Sequence, residues 1–100
     1  MTLSGKQKRH LRGLGHPLGT IVTVGKDGVT EALAEALDVA LTDHELVKVR
    51  IGGSAIVERK DAAAELARAT QSEVAQILGN TILLYRAHPE KPTIRLPGAA

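Results

Sequence analysis

Apolar residues recur along this 100-residue chain with two periods, one near 3.6 and one of 2, and the switches between them mark out the elements. Leu3, Leu11 and Leu14 share one sector when successive residues are set about 100° apart, and Lys6, Lys8, Arg9 and Arg12 spread over the other side, which predicts an amphipathic first helix. Gly13 and Gly15 weaken its end, and His16-Pro17 stops it because the residue before proline avoids helical backbone angles. TIVTV, Thr20 to Val24, is β-branched throughout and predicts a buried strand. Thr30 then offers an N-cap, Glu31 a first-turn acid, and Leu33, Leu37 and Leu41 an apolar stripe, predicting a second helix to about His44. From Glu45 to Ile51 the period falls to 2: Val47, Val49 and Ile51 form one face, and Leu46, Lys48 and Arg50 project together on the other. Gly52-Gly53-Ser54 breaks that strand, and an alanine-rich helix follows from about Arg59 to Thr70. Glu73 to Leu78 and Thr81 to Arg86 predict two strands joined by Gly79-Asn80, a pair suited to the positive backbone angles of a two-residue hairpin. Pro89, Pro92 and Pro97 make the tail irregular, with a short strand expected at Thr93 to Leu96.

The order α-β-α-β-α-β-β implies parallel crossovers with an antiparallel hairpin added at the end. The expected fold is α/β, a two-layer sandwich with a mixed four-stranded sheet. Neither a repeat nor a linker interrupts the pattern, so residues 1–97 read as one domain followed by a short tail, 98–100. A chain of this size buries roughly two thirds of its unfolded surface and needs no covalent staple. The absence of cysteine excludes a disulfide framework, a thiolate metal site and a thiol nucleophile, and fits a reducing cytoplasm, the expected location. The opening MTLSGKQKRH has no apolar segment behind its charges, and no apolar run approaches the ~20 residues that span a bilayer, so a soluble, unprocessed protein with no membrane partner is expected.

Charge adds a direction to this picture. The net charge is only +2, yet residues 1–26 carry Lys6, Lys8, Arg9, Arg12 and Lys26 with no acid, and residues 29–45 carry Glu31, Glu35, Asp38, Asp43 and Glu45 with no lysine or arginine. A basic end facing an anionic partner, with the acidic helix turned to solvent away from it, is the expected arrangement. Tyr85 is the sole aromatic residue. Modules that read single strands by stacking successive bases need several rings on one face, so a bound nucleic acid would be held by backbone and shape.

The candidate chemistry lies at Gly25-Lys26-Asp27-Gly28. Two glycines around two exposed residues let the main chain approach a partner closely, the next helix begins nearby with free N–H groups and its positive dipole end, and Lys26 adds a cation. Phosphate suits such a site, and a Gly-x-x-Gly loop clamps nucleic-acid backbone in the KH module. The plain alternative is a tight turn for which Asp27-Gly28 supplies the angles. Lys6, Lys8, Arg9 and Arg12 are the further candidates for contact with an anionic partner, with Lys48 and Arg50 as weaker ones. His10, His16, His44 and His88 lack paired ligand spacing, so no metal or other cofactor is assigned. Ser4, Ser54 and Ser72 lack a nucleophile context, and Glu31 with Glu35 reads as a solvated helix face, so an enzyme is not expected.

Three stretches, LRGLGHPL (11–18), VGKDGVTEALAEALDVALTDHELVKVRI (24–51) and QILGNTILLYR (76–86), resemble in order and spacing the CRM domain family (chloroplast RNA splicing and ribosome maturation), in particular its single-domain bacterial YhbY-like members. The resemblance covers the chain from about Leu3 to Pro97. It implies a fold similar to the C-terminal domain of translation initiation factor 3, RNA binding, and association with ribosomal RNA in precursors of the large ribosomal subunit. It also implies that Gly25, Lys26 and Gly28 belong to the family's glycine loop and that basic residues of the first helix share the RNA surface. GGSAIVERKDAAA, Gly52 to Ala64, departs from the family pattern, and with it the start of the third helix and any contact from Arg59 and Lys60. Two other readings remain beside a ribosome assembly factor: a small chromatin-type DNA binder, and a protein-interaction adaptor working through the acidic second helix.

Overall fold

The computed structural model describes residues 2–53 and 57–98. Ser54, expected to complete the strand break, lies outside them, as do Met1, Ala55, Ile56 and the last two residues of the tail. The elements are α1 (Gly5–Gly15), β1 (Thr20–Val24), α2 (Glu31–His44), β2 (Leu46–Ile51), α3 (Arg59–Thr70), β3 (Glu73–Leu78) and β4 (Thr81–Tyr85). Side chains fix where the helices begin by satisfying N–H groups that have no partner inside the helix. The Ser4 hydroxyl accepts from the Gln7 N–H at 3.1 Å while the Gln7 amide oxygen accepts from the Ser4 N–H at 2.9 Å, a reciprocal cap for α1. Thr30 Oγ1 accepts from the Leu33 N–H at 3.1 Å to start α2, and the Glu58 carboxylate accepts from Lys60 and Asp61 to start α3.

The strands form one mixed sheet in the order β1-β2-β4-β3. β1 and β2 are parallel, joined through α2; β4 is antiparallel to both β2 and β3. α3 therefore carries the chain past one empty position to the far edge, and the Gly79-Asn80 turn brings β4 back to fill it. Of that turn pair Gly79 takes a positive φ, 56°, and Asn80 does not.

Alternation along the strands divides the core in two. Val22, Val24, Val47, Val49, Ile82 and Leu84 point to one face and pack with Leu37 and Leu41 of α2 and Leu66 of α3. This is the expected sandwich of sheet and helix pair. The second face is covered in part: Leu46, Ala75, Leu83 and Tyr85 pack there with Leu3 and Leu11, and Ile94 and Leu96 from the tail close over them. Burying a leucine such as Leu11 contributes about 1.5–3 kcal/mol, which is what docks α1.

Four expectations are corrected here. Leu14 does not join the buried stripe of α1; it is exposed, and Gly15 takes the inner position because the helix lies so close to β4 that a Cβ there would sit 2.7 Å from a Leu83 methyl. β1 is an edge strand rather than a buried one, with Ile21 and Thr23 uncovered because α1 lies over β2, β4 and β3. Glu45 is neither part of β2 nor a surface acid: it caps the end of α2 at a φ of 63° with its side chain buried. The tail forms no strand at Thr93 to Leu96, because the N–H groups of Thr93 and Ile94 donate to the Glu45 carboxylate instead of to a neighbouring strand.

Candidate nucleic-acid interface

On the face that α1 half covers, β2 presents Lys48 and Arg50, the alternates of Val47, Val49 and Ile51. α1 runs beside them. At helical spacing Lys8 and Arg12 stack one turn apart, Arg9 lies beside Arg12, and Lys6 neighbours Arg9 farther round the helix. Lys6, Lys8, Arg9 and Arg12 are all exposed. Between this flank and the sheet lies a groove of about 390 Å³ lined by Arg9, Arg12, His16 and Lys48 on its basic side and by Gln76 and Thr81 on its floor. The Lys48 ammonium leans toward the carbonyl of His16, 3.4 Å away, which ties the end of α1 to β2. No acidic side chain among the described residues pairs with Lys6, Lys8, Arg9, Arg12, Lys26 or Arg50, so their charge is directed outward.

The Gly25–Gly28 segment stands at the end of the same sheet. The Gly28 N–H donates to the Gly25 carbonyl at 3.0 Å, closing a tight turn with Lys26 and Asp27 exposed at its tip. Gly28 has φ 72°, a region that L side chains avoid, so the turn itself requires a glycine there. Gly25 is different: its φ is not positive, and a Cβ added to it would meet nothing within 4 Å. The fold thus accounts for one of the two glycines. The turn shares a shallow hollow with Thr23 and the first turn of α2, whose N–H groups are partly taken, since Thr30 accepts from Leu33 and Glu31 adds a carboxylate beside them. Thr23 stands opposite Arg50 in the β1–β2 ladder, which makes Arg50 the residue between the turn and the α1 flank.

The structure gathers Arg9, Arg12, Lys48 and Arg50 around one face, with Lys26 and its turn at the end of β1. Arg59 stays exposed, and its guanidinium donates to the Gly79 carbonyl at 2.9 Å, which ties the start of α3 to the β3–β4 turn. Arg86 is likewise structural: it reaches the Asp38 carboxylate at 2.6 Å, the Thr42 hydroxyl at 2.9 Å and the Thr70 carbonyl at 2.8 Å, clamping α2 to α3. Tyr85 is buried against α1 and its ring is not available for stacking; burial, and secondarily the nearby Glu45 charge, raise its pKa. Sequence reading missed Gln76 and His16 as lining residues. His16 was hidden by its role as a helix stop, and Gln76 by an irregularity in β3 that period counting passes over.

Comparison with known proteins agrees with this architecture. The family model for the CRS1/YhbY (CRM) domain matches residues 3–86. The Bacillus subtilis protein named "Probable RNA-binding protein YqeI" is 39% identical over 95 residues, covering 95% of this chain and 99% of that protein. A Haemophilus influenzae protein named "RNA-binding protein" is 36% identical over 96 residues, 96% of each. The solution structure of the hypothetical protein SAV1595 from Staphylococcus aureus superposes with a TM-score of 0.82 at 38% identity, covering 96% of this chain and 100% of that one. A family match that takes in α1, the glycine turn and the whole sheet leaves one assignment: the chain belongs to the CRS1/YhbY (CRM) domain family.

Proposed function

We propose that this protein is a non-enzymatic RNA-binding module that holds structured RNA through its phosphates, and that its target is ribosomal RNA in cytoplasmic precursors of the large ribosomal subunit. The observation that carries the reading is the position of Lys48 and Arg50, which join the basic flank of α1 to the end of the sheet where the glycine turn stands. Lys26 neutralises phosphate, Gly25 and Gly28 leave the main chain approachable beside Asp27, and Lys6, Lys8, Arg9 and Arg12 extend the track. The relatives named as RNA-binding proteins support RNA as the polymer. A buried Tyr85 leaves electrostatics and shape as the means of holding it.

Salt tests this directly. RNA affinity falls steeply with salt, and Arg12→Ala, Lys8→Ala and Arg50→Ala each flatten the log–log slope by roughly 0.7 to 0.9, the share of one released counterion. Affinity that barely responds to salt, or a slope these substitutions leave untouched, removes the basic face from the account. Sedimentation of cell extract at low and moderate salt tests the target: the protein co-migrates with large-subunit precursors, whereas enrichment on duplex DNA favours the chromatin reading.

A further inference from the structure

Along β3 the side chains do not simply alternate. Val74 and Ile77 pack into the core under α2 and α3, and Ala75 belongs to the cluster under α1. Strict alternation would send Gln76 to the same side as Val74. The register instead shifts between Val74 and Gln76, and Gln76 pairs with Leu83, a residue of the α1 face. A bulge of this kind re-aims one side chain. Here it places Ala75 beneath α1 and Gln76, half-buried, on the floor of the basic groove.

The Gln76 amide has no hydrogen-bond partner among the described residues, although it carries two donors and two acceptor sites. Beside it Leu78 is 64% exposed, an apolar side chain at the end of the groove. Arg9 and Arg12 supply planar cations along the rim. An apolar wall, an unused amide and a pair of guanidinium groups correspond to the three parts of a nucleotide: base face, base edge and phosphate. The hollow, about 390 Å³, is at the lower end of the range that encloses a small organic group, about 300–1,000 Å³.

We infer that this groove receives one unpaired nucleotide of the bound RNA, its base against Leu78, its edge on the Gln76 amide and its phosphate on Arg9 or Arg12. The inference rests on the RNA-binding reading above and adds a local preference to it. Within a duplex the base-pairing edges are occupied, so an amide on the groove floor, open to solvent, meets a base edge only when that base is splayed out of the helix.

The test compares two RNA hairpins of one sequence, the second carrying a single unpaired nucleotide in its stem, with each of the four bases placed there in turn. Binding is followed by fluorescence anisotropy at moderate salt. The full-length protein binds at least one bulged hairpin about tenfold more tightly than the paired one, the scale of one bidentate amide-to-base contact. Gln76→Leu brings that ratio to within about twofold of unity while keeping affinity for the paired stem, whereas Arg12→Ala weakens both RNAs. Leu78→Ser, at a surface position, lowers the ratio as well and carries the same test should Gln76→Leu fail to fold. Equal binding of paired and bulged hairpins by the unaltered protein, or a preference that survives in folded Gln76→Leu, overturns the inference and leaves general RNA binding standing. Failure to bind either RNA overturns both.

Discussion

Glu45 shows how much one side chain sets in this molecule. It adopts φ 63° and ψ −39°, a sparsely populated conformation that costs a non-glycine residue on the order of 1–3 kcal/mol. Its carboxylate offsets that by accepting from the N–H groups of His88 at 2.7 Å, Thr93 at 2.8 Å and Ile94 at 3.0 Å, and from the Thr93 hydroxyl. These bonds hold the tail so that Ile94 and Leu96 cover the second core, and the Pro97 carbonyl then receives the Gln7 amide at the start of α1. Burial on its own would raise the pKa of Glu45, but the hydrogen bonds from Thr93, His88 and Ile94 outweigh it and bring the value from 4.5 down to about 2. A depressed carboxylate contributes stability that is fully present above its unfolded pKa and is lost as pH falls through the folded one. The window here runs from about pH 5 to about pH 2. Denaturant unfolding at a series of pH values checks this. Glu45→Gln is markedly less stable than its parent at pH 7, and the gap narrows steadily between pH 5 and pH 2. A gap that stays constant across the window would mean that the carboxylate charge does not hold the tail.

At the scale of elements, periodicity and caps made most of the fold legible. Thr30, the 3.6-residue stripes and an alanine-rich run located the helices, and β-branched residues, one period-2 run and the Gly79-Asn80 turn located the strands, because these signals are local. What stayed hidden depends on contacts between elements. Nothing local says that α1 packs through Gly15, that β1 lies at an edge, that Glu45 is buried or that β3 bulges before Gln76. The candidate site divides in the same way: the basic residues and the glycine turn were visible as composition, whereas their gathering round β2 needed the register. The turn also yields a prediction that separates its structural and binding roles. Lys26→Asp changes GKDG to GDDG at an exposed tip, where aspartate suits both a turn and the neighbouring helix N-terminus, so melting stays close to that of the parent. RNA binding at moderate salt weakens at least about tenfold, about 1.4 kcal/mol, because a cation has become a second anion beside Asp27. Gly25→Ala, sterically free in the fold, retains stability and weakens binding through lost access to the main chain. Unchanged RNA affinity in both folded variants would reduce Gly25–Gly28 to a connector.

Across the whole molecule the sheet acts as a partition. α1, Lys48 and Arg50 lie on one side, and α2 with Glu31, Glu35 and Asp43 exposed lies on the other. The separation of charge along the sequence thus becomes a separation through space, except that Glu45 is internal and Asp38 is engaged by Arg86. A molecule polarised in this way is oriented by a polyanion before it touches it, since the basic face is attracted and the acidic helix repelled. That effect is long-ranged and screened, with a Debye length of about 8 Å at physiological salt, whereas direct phosphate contact acts at the surface itself. The two faces should therefore answer charge reversal differently. Glu31→Lys with Glu35→Lys removes the repulsion on the far side, so association with RNA speeds up at low salt, the gain vanishes at physiological salt, and the dissociation rate hardly changes. Arg12→Glu with Arg50→Glu places two anions at the proposed phosphate contacts, so dissociation accelerates and affinity falls by at least about a hundredfold even at physiological salt. Stopped-flow association and dissociation rates at two ionic strengths distinguish the pairs. If reversal on α2 sped dissociation as much as reversal on α1 and β2, RNA would have to touch the acidic helix, and the polarised arrangement would not be what orients the complex.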